Sequence, residues 1–231
     1  MLLENLNWMD VEKYLTLDQR IVFVLGSTEQ HGYLSLATDT LIPWEIAKKA
    51  CELENVLLAP PLFYGYSQLH SDFPGTLSIS FSAYHHMVQD IVGSALRGGF
   101  RDILIMIGHG GNKGAREALY ETITAFPDAR MWFIAWWELP DTAKFLEENG
   151  GLDHANWSEN FPFTRVAEVP SGGIMQSEHV FSMSPSAFRA SFPEGIMGGR
   201  YQSSDEVTEG LLNTVIRETT AVLRSMNDHK Q

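Results

Sequence analysis

The sequence predicts an α/β fold in which helices cover a mostly parallel central sheet. Three runs carry this reading: residues 20–26 (RIVFVLG), 102–108 (DILIMIG) and 130–137 (RMWFIAWW). Each is nearly all apolar and rich in β-branched or aromatic side chains, as expected of strands buried on both faces. Segments with helical periodicity lie between them on short connections, and strand–helix–strand alternation of that kind implies parallel pairing with right-handed crossovers.

Taken in order, the first run ends in Gly26 and is followed by GSTEQHG. Residues 41–54 then read as a helix, with Pro43 tolerable only in its first turn, and residues 56–59 as a short strand closed by Pro60-Pro61. A turn-rich segment, residues 62–80, carries Gly65, His70, Pro74 and Gly75. Ser82 is placed to cap the next helix, whose stripe is Val88, Ile91, Val92, Ala95 and Leu96 and whose stop is Gly98-Gly99. The second strand runs into His109-Gly110-Gly111-Asn112 and a helix with Ala115, Ala118, Leu119, Thr122 and Ile123 on one face. Beyond the third strand a short helix over 141–149 ends at Gly150-Gly151. The loop-rich stretch to about Pro193 is of the length usually tied to function or an oligomer contact. A last helix begins near Ser203, where Ser203-x-x-Glu206 matches a capping box, with Leu212, Val215, Ile216, Thr219, Val222 and Leu223 as its stripe.

At 231 residues, with 44% hydrophobic and 19% charged positions, the chain is expected to form one domain over 1–231 with a sizeable core. A formal net charge of −13 argues against nucleic acid or an anionic membrane as its main partner. The single cysteine, Cys51, fits a reducing compartment and a buried helix position. Neither a signal-peptide pattern nor an 18-residue apolar run is visible, so cytoplasmic residence is expected.

In open α/β sheets the chemistry sits in loops past the strand C-termini. Glu29 and His31 occupy such a loop and alternate, so an extended backbone points both the same way, and Asp39 follows eight residues after His31. Two carboxylates and an imidazole suit a divalent cation such as Zn, Mn or Fe. Alone, the pattern fits a solvated Glu, a satisfied His and an Asp near a helix start better than it fits a cation site. His109 lies between glycines that allow backbone to approach a ligand; the rival for GHGGN is an anion cradle at a helix start. A third loop carries His154 and Glu159.

The segments GSTEQHG…TDT, PPLFYGYSQLHSDFPGTLSIS and IGHGGN, in this order and spacing, resemble the creatininase (creatinine amidohydrolase) family, most clearly over residues 18–125. The resemblance implies a three-layer α/β/α fold, a homohexamer and a site for two divalent metal ions. Matched by position, Glu29, His31, Asp39 and His109 would be metal ligands, with Asp39 bridging. Where creatininase has a glutamate two residues after its second histidine, this chain has Gly111. Relatives with GHGGN instead supply a glutamate from a later H-A-G-E-x-E-T-S motif, whose counterpart here is HANWSEN. That makes Glu159 the last ligand, or a catalytic group, and His154 the acid/base. The family's HG-x-HLPL is HGYLSLAT here, and Asn156 and Trp157 replace the later motif's glycine and first glutamate. Substrate contacts should therefore differ from those of creatininase. The NWSENFP variant resembles the branch of keto-inositol (3-dehydro-scyllo-inosose) hydrolases.

Such a site activates water for attack on a carbonyl of a small cyclic compound, with imidazole protonating the leaving group. The expected activity is hydrolysis of a cyclic amide or formamide. The rivals are ring opening of a diketo-inositol at the same metals, and a non-catalytic anion-binding module. His70 and Trp157 are the candidate substrate contacts; Trp136 and Trp137 are expected in the core. Lys113, Arg116 and Arg165 are the only cations near enough to hold a nucleotide phosphate. His85 and His86 read as helix surface, His229 as tail, His179 as structural and Ser171-Gly172-Gly173 as a turn.

Overall fold

The computed structural model describes residues 1–174 and 183–228. Its centre is a parallel sheet of β1 (Arg20–Leu25), β2 (Leu57–Leu58), β3 (Asp102–Ile107) and β4 (Arg130–Ala135), in the order β2-β1-β3-β4. The side chains of β1 and β3 alternate between two apolar layers, which is why both runs are apolar throughout. Ile21, Phe23, Leu25, Ile103, Ile105 and Ile107 pack under α1 (Trp8–Leu15), α3 (Phe81–Arg97) and α4 (Ala115–Thr124). Val22, Val24, Leu104 and Met106 pack under α2 (Thr38–Glu54), α5 (Pro140–Glu148) and α7 (Asp205–Asp228). The architecture is thus three-layered α/β/α. A short helix α6 (Pro185–Ser191) and an antiparallel pair, β5 (Gly173–Ile174) with β6 (Gly199–Arg200), lie outside the main sheet. Among the described residues no helix is long and apolar enough to cross a membrane.

Several boundaries differ from those expected, each for a local reason. Helix α2 starts at Thr38, not Leu41, because Thr38 N and Oγ1 both donate to Ser35 O while Thr40 and Leu41 donate to Ala37 O. This draws Asp39 into the first turn and leaves Pro43 as the sixth helical residue. The cap of α3 is Ser80, whose Oγ accepts from Ala83 N at 3.3 Å, not Ser82. The cap of α7 is Ser204, whose Oγ accepts from Val207 N at 3.4 Å; the Ser203–Glu206 box does not form. Strand β2 keeps only two of its four expected residues.

In register, Leu25, Ile107 and Ala135 stand side by side at the C-terminal ends of β1, β3 and β4. The loops after these strands therefore open on one edge of the sheet, where α2 also begins. Gly108 makes that convergence possible. A Cβ at this position would lie 1.9 Å from Asp39 O and 2.5 Å from the Pro43 ring, so only glycine lets the end of β3 meet the start of α2.

Candidate metal centre

Glu29 and His31 come from the loop after β1, Asp39 from the first turn of α2, His109 from the end of β3, and Glu159 from a 3-10 turn at Trp157–Glu159. All five are buried. Asp39 lies at the middle: its Oδ1 is 3.0 Å from His31 Nε2 and its Oδ2 is 3.0 Å from His109 Nδ1. Ser27 Oγ also donates to Oδ2, at 2.8 Å. Glu29 Oε1 is 3.3 Å from His109 Nδ1 and 3.7 Å from both His154 Nδ1 and His70 Nε2. Glu159 Oε2 is 3.8 Å from His31 Nε2.

The far nitrogen of each central imidazole is held by backbone. His31 Nδ1 donates to Glu29 O at 3.1 Å, and His109 Nε2 donates to Tyr66 O at 2.9 Å. Those bonds leave His31 Nε2 and His109 Nδ1 facing the carboxylates, which is how metal-ligating histidines are commonly oriented. Asn112 fixes the loops that carry them: its Nδ2 donates to Gly26 O at 2.9 Å and its Oδ1 accepts from Tyr66 N at 3.1 Å.

The electrostatics are those of a dense, buried charge cluster. Burial pushes the His31 imidazole down, but Asp39, Glu159 and Glu29 more than offset this and its pKa rises to about 10. His109 is likewise raised against its burial, by Glu29 and Asp39. Asp39 is held well below the usual carboxylate range, its burial outweighed by His31 and His109. Burial lifts Glu159 to about 7. It also drives His154 and His70 downward, with nearby imidazoles adding to the effect.

These residues fit divalent cations. Both oxygens of the Glu29 carboxylate are buried without a hydrogen-bond partner, a costly state that a cation relieves. Among the described residues, ligand-capable atoms gather within 4.8 Å of one another in three groups: Glu29/Asp39/His109, His31/Asp39/Glu159 and Glu29/His31/His154. Asp39 belongs to the first two, as a bridging carboxylate would. Gly111, where creatininase has its glutamate, has no space for a side chain: a Cβ would sit 2.2 Å from Tyr66 O. Glu159 reaches the cluster from the other side, its Oε2 accepting from Ala155 N at 2.7 Å across a backbone turn with Ala155 at φ +61°.

A cavity of about 580 Å³ opens on the cluster, lined by Glu29, Asp39, His109, His154 and Glu159. His70, expected at the substrate, lines it too. Trp157 does not. It is fully buried in the core, its Nε1 donating to Gly151 O at 3.0 Å and Arg200 covering its ring, because the 3-10 turn aims it inward while Glu159 faces the cavity. The tryptophan in the cavity wall is Trp137. Lys113 is the only lysine or arginine of the lining among the described residues, and it is paired with Glu138. Arg165 is turned away onto Asn160 and Asp205, and Arg116 is exposed and outside the lining. His179 and His229 lie outside the described residues. Sequence reasoning passed over Gln30, Ser27 and Asn112, all buried and bonded around the site. Gln30 carried a signal in its place between two candidate ligands.

The creatininase family model, described as creatinine amidohydrolase, matches residues 4–223. The creatinine amidohydrolase of Pseudomonas putida is 25% identical over 194 residues, covering 78% of this chain and 71% of that protein. The mycofactocin precursor peptide peptidase of Mycolicibacterium smegmatis is 38% identical over 105 residues, 42% of each chain. The 3-dehydro-scyllo-inosose hydrolase of Thermotoga maritima is 25% identical over 186 residues, 76% of this chain and 57% of that one. This chain thus spans under two thirds of the length of the latter two relatives. A crystal structure of creatinine amidohydrolase superposes with a TM-score of 0.80 at 22% identity, over 97% of this chain and 96% of the other. A structure described as creatininase with Mn gives 0.80 at 24% identity, over 97% of each. With the family model running across nearly the whole length, past the motifs that first suggested it and through Glu159, the chain belongs to the creatininase family.

Proposed function

We propose that this chain is a metal-dependent amidohydrolase that cleaves a carbonyl–nitrogen bond in a small molecule seated in the 580 Å³ cavity. One observation carries the reading: Asp39 is shared by two ligand groups beside a buried Glu29 carboxylate with no hydrogen-bond partner. Glu29, Asp39 and His109 would hold one cation, and His31, Asp39 and Glu159 a second. Divalent cations bound there lower the pKa of water and polarise a carbonyl oxygen. Bonds to Glu29 O and Tyr66 O keep His31 Nε2 and His109 Nδ1 aimed inward. Trp137 and Leu152 give the substrate an apolar wall. His154 is placed to exchange a proton at Nδ1, the nitrogen that faces Glu29.

The size and lining of the cavity favour a compact, uncharged or weakly charged substrate such as a cyclic amide or a formamide. A nucleotide is disfavoured, because the one lysine or arginine of the lining among the described residues is already paired with Glu138. Three buried carboxylates at the floor repel a free anion, which weighs against a non-catalytic anion-binding module. Ring opening of a diketo-inositol is the second reading. It is supported by the relative of that activity and needs no change in the ligand set.

Elemental analysis of the purified chain, followed by assays of the metal-loaded protein against creatinine, a short peptide, a formamidopyrimidine and a keto-inositol, tests the proposal. We expect stoichiometric divalent metal and turnover of an amide substrate. Absence of metal after loading, or turnover of the keto-inositol alone, overturns it.

A further inference from the structure

Gln30 lies in the loop after β1 between Glu29 and His31, and its side chain is buried against two stacked imidazoles. His70 and His154 have ring centroids 4.5 Å apart at 16°. Gln30 Nε2 is 2.9 Å from His70 Nδ1, 2.8 Å from His154 Nε2 and 3.0 Å from Gly195 O. The orientation of the amide is fixed by backbone at both ends: Gly32 N donates to Oε1 at 3.2 Å, and Nε2 donates to the Gly195 carbonyl. One amide hydrogen is left for two ring nitrogens.

Backbone settles which nitrogen receives it. His154 Nε2 is also 2.9 Å from the Gln30 carbonyl oxygen, which can only accept. The proton therefore sits on His154 Nε2, and that nitrogen cannot accept from the amide. The remaining amide hydrogen goes to His70 Nδ1, which must be bare, so the His70 proton is on Nε2. Both rings carry the same tautomer, assigned from the hydrogen-bond network, yet they face the centre with opposite ends. His70 Nε2–H and His154 Nδ1 each lie 3.7 Å from Glu29 Oε1.

We infer that Gln30 is a positioning residue that locks His70 as a hydrogen-bond donor beside His154 as a hydrogen-bond acceptor on the cavity wall. In the hydrolytic reading proposed above, on which its functional part rests, the pair offers the substrate one donor and one acceptor without adding charge to a floor already crowded with carboxylates. Gly195 completes the device. It sits at φ +75°, and a Cβ there would fall 1.7 Å from Gln30 Oε1, so a side chain would expel the amide from its place. The loop at 192–195 thereby takes part in setting the tautomer of a histidine over 120 residues away in sequence.

Long-range proton–nitrogen correlation spectra of the full chain with ¹⁵N-labelled histidine read the tautomers directly, in the metal-free and zinc-loaded protein. We expect His70 and His154 both as Nε2–H in the native chain. In Gln30→Met, His70 should lose its single tautomer while His154 keeps Nε2–H, because its partner is a backbone carbonyl. Gly195→Ala should produce the same change in His70 by displacing the amide. On a substrate of the chain, Gln30→Met should lower kcat/KM by about 10-fold, the size of one lost hydrogen bond from His70, because His154 keeps the tautomer that proton exchange needs. A native His70 carrying its proton on Nδ1, or a His70 signal unchanged in both variants, overturns the inference. The native spectrum decides even if the variants fail to fold. A protein with the expected tautomers that turns over no amide would instead defeat the hydrolase proposal.

Discussion

Ser27 stands behind Asp39 with its hydroxyl on Oδ2 at 2.8 Å, and its own side chain is fully buried. Its loss should leave the ligands in place but free the bridging carboxylate to rotate. Ser27→Ala is therefore expected to weaken metal affinity by about 10–100-fold, measurable by competition with a chromophoric chelator. Asp39→Asn is more severe, because both ligand groups lose their shared oxygen donor; bound metal should fall below one equivalent and hydrolysis should drop to background. Metal retention at full stoichiometry in Asp39→Asn would remove the bridging assignment. At this scale the sequence was legible wherever residue type alone narrows the chemistry. Glu29, His31, Asp39 and His109 are groups that bind cations, and they fall at predicted strand ends and a helix start. Gln30 and Ser27 were not legible, since an amide or hydroxyl is common in any loop and acquires a role only from what it touches.

Among the elements, α2 and β3 meet at Gly108, where the space for a side chain is filled by the Asp39 carbonyl and the Pro43 ring. Neither neighbour can move without shifting the first turn of α2. Gly108→Ala should cost about 3 kcal/mol or more, the upper end of overpacking penalties, and should disturb the site as well as the fold. The urea midpoint and metal content should fall together. Helix α5 shows another dependence. Its N-cap is Leu139, which has no side-chain acceptor, and the cap comes instead from Glu218 on α7. Glu218 Oε1 accepts from Asp141 N, and Oε2 accepts from Thr142 N, each at 2.8 Å. Glu218→Ala should destabilise the protein by about 0.5–2 kcal/mol, read from thermal melts, without loss of metal. The strands could be read because burial on both faces leaves continuous apolar runs, and the helix stripes because burial of one face imposes a period of about 3.6. Exact starts could not, because Ser80 and Ser82, or Ser203 and Ser204, are equivalent as side chains and only backbone geometry selects one.

For the molecule as a whole, three buried carboxylates share one edge of the sheet, so bound cations should contribute to folding as well as to catalysis. At a metal concentration of about 100 times Kd the expected stabilisation is about 2.7 kcal/mol. Chelation should then lower Tm by about 5–10 °C for a chain of this size, with recovery on adding back zinc or manganese. A Tm indifferent to chelator in a metal-containing preparation would place the metal away from the buried cluster. Composition, apolar runs and helical period by themselves determined the α/β class, the three long strands and the helices between them, since these follow from local burial along the chain. The motif order GSTEQHG, then the turn-rich segment, then GHGGN was enough to point to the family. Only the tertiary structure decided that Trp157 turns into the core while Glu159, two residues on, faces the cavity. It alone set the Gly195–Gln30–His70 contact, because hydrogen-bond direction and close packing depend on groups far apart in sequence and leave no period in it.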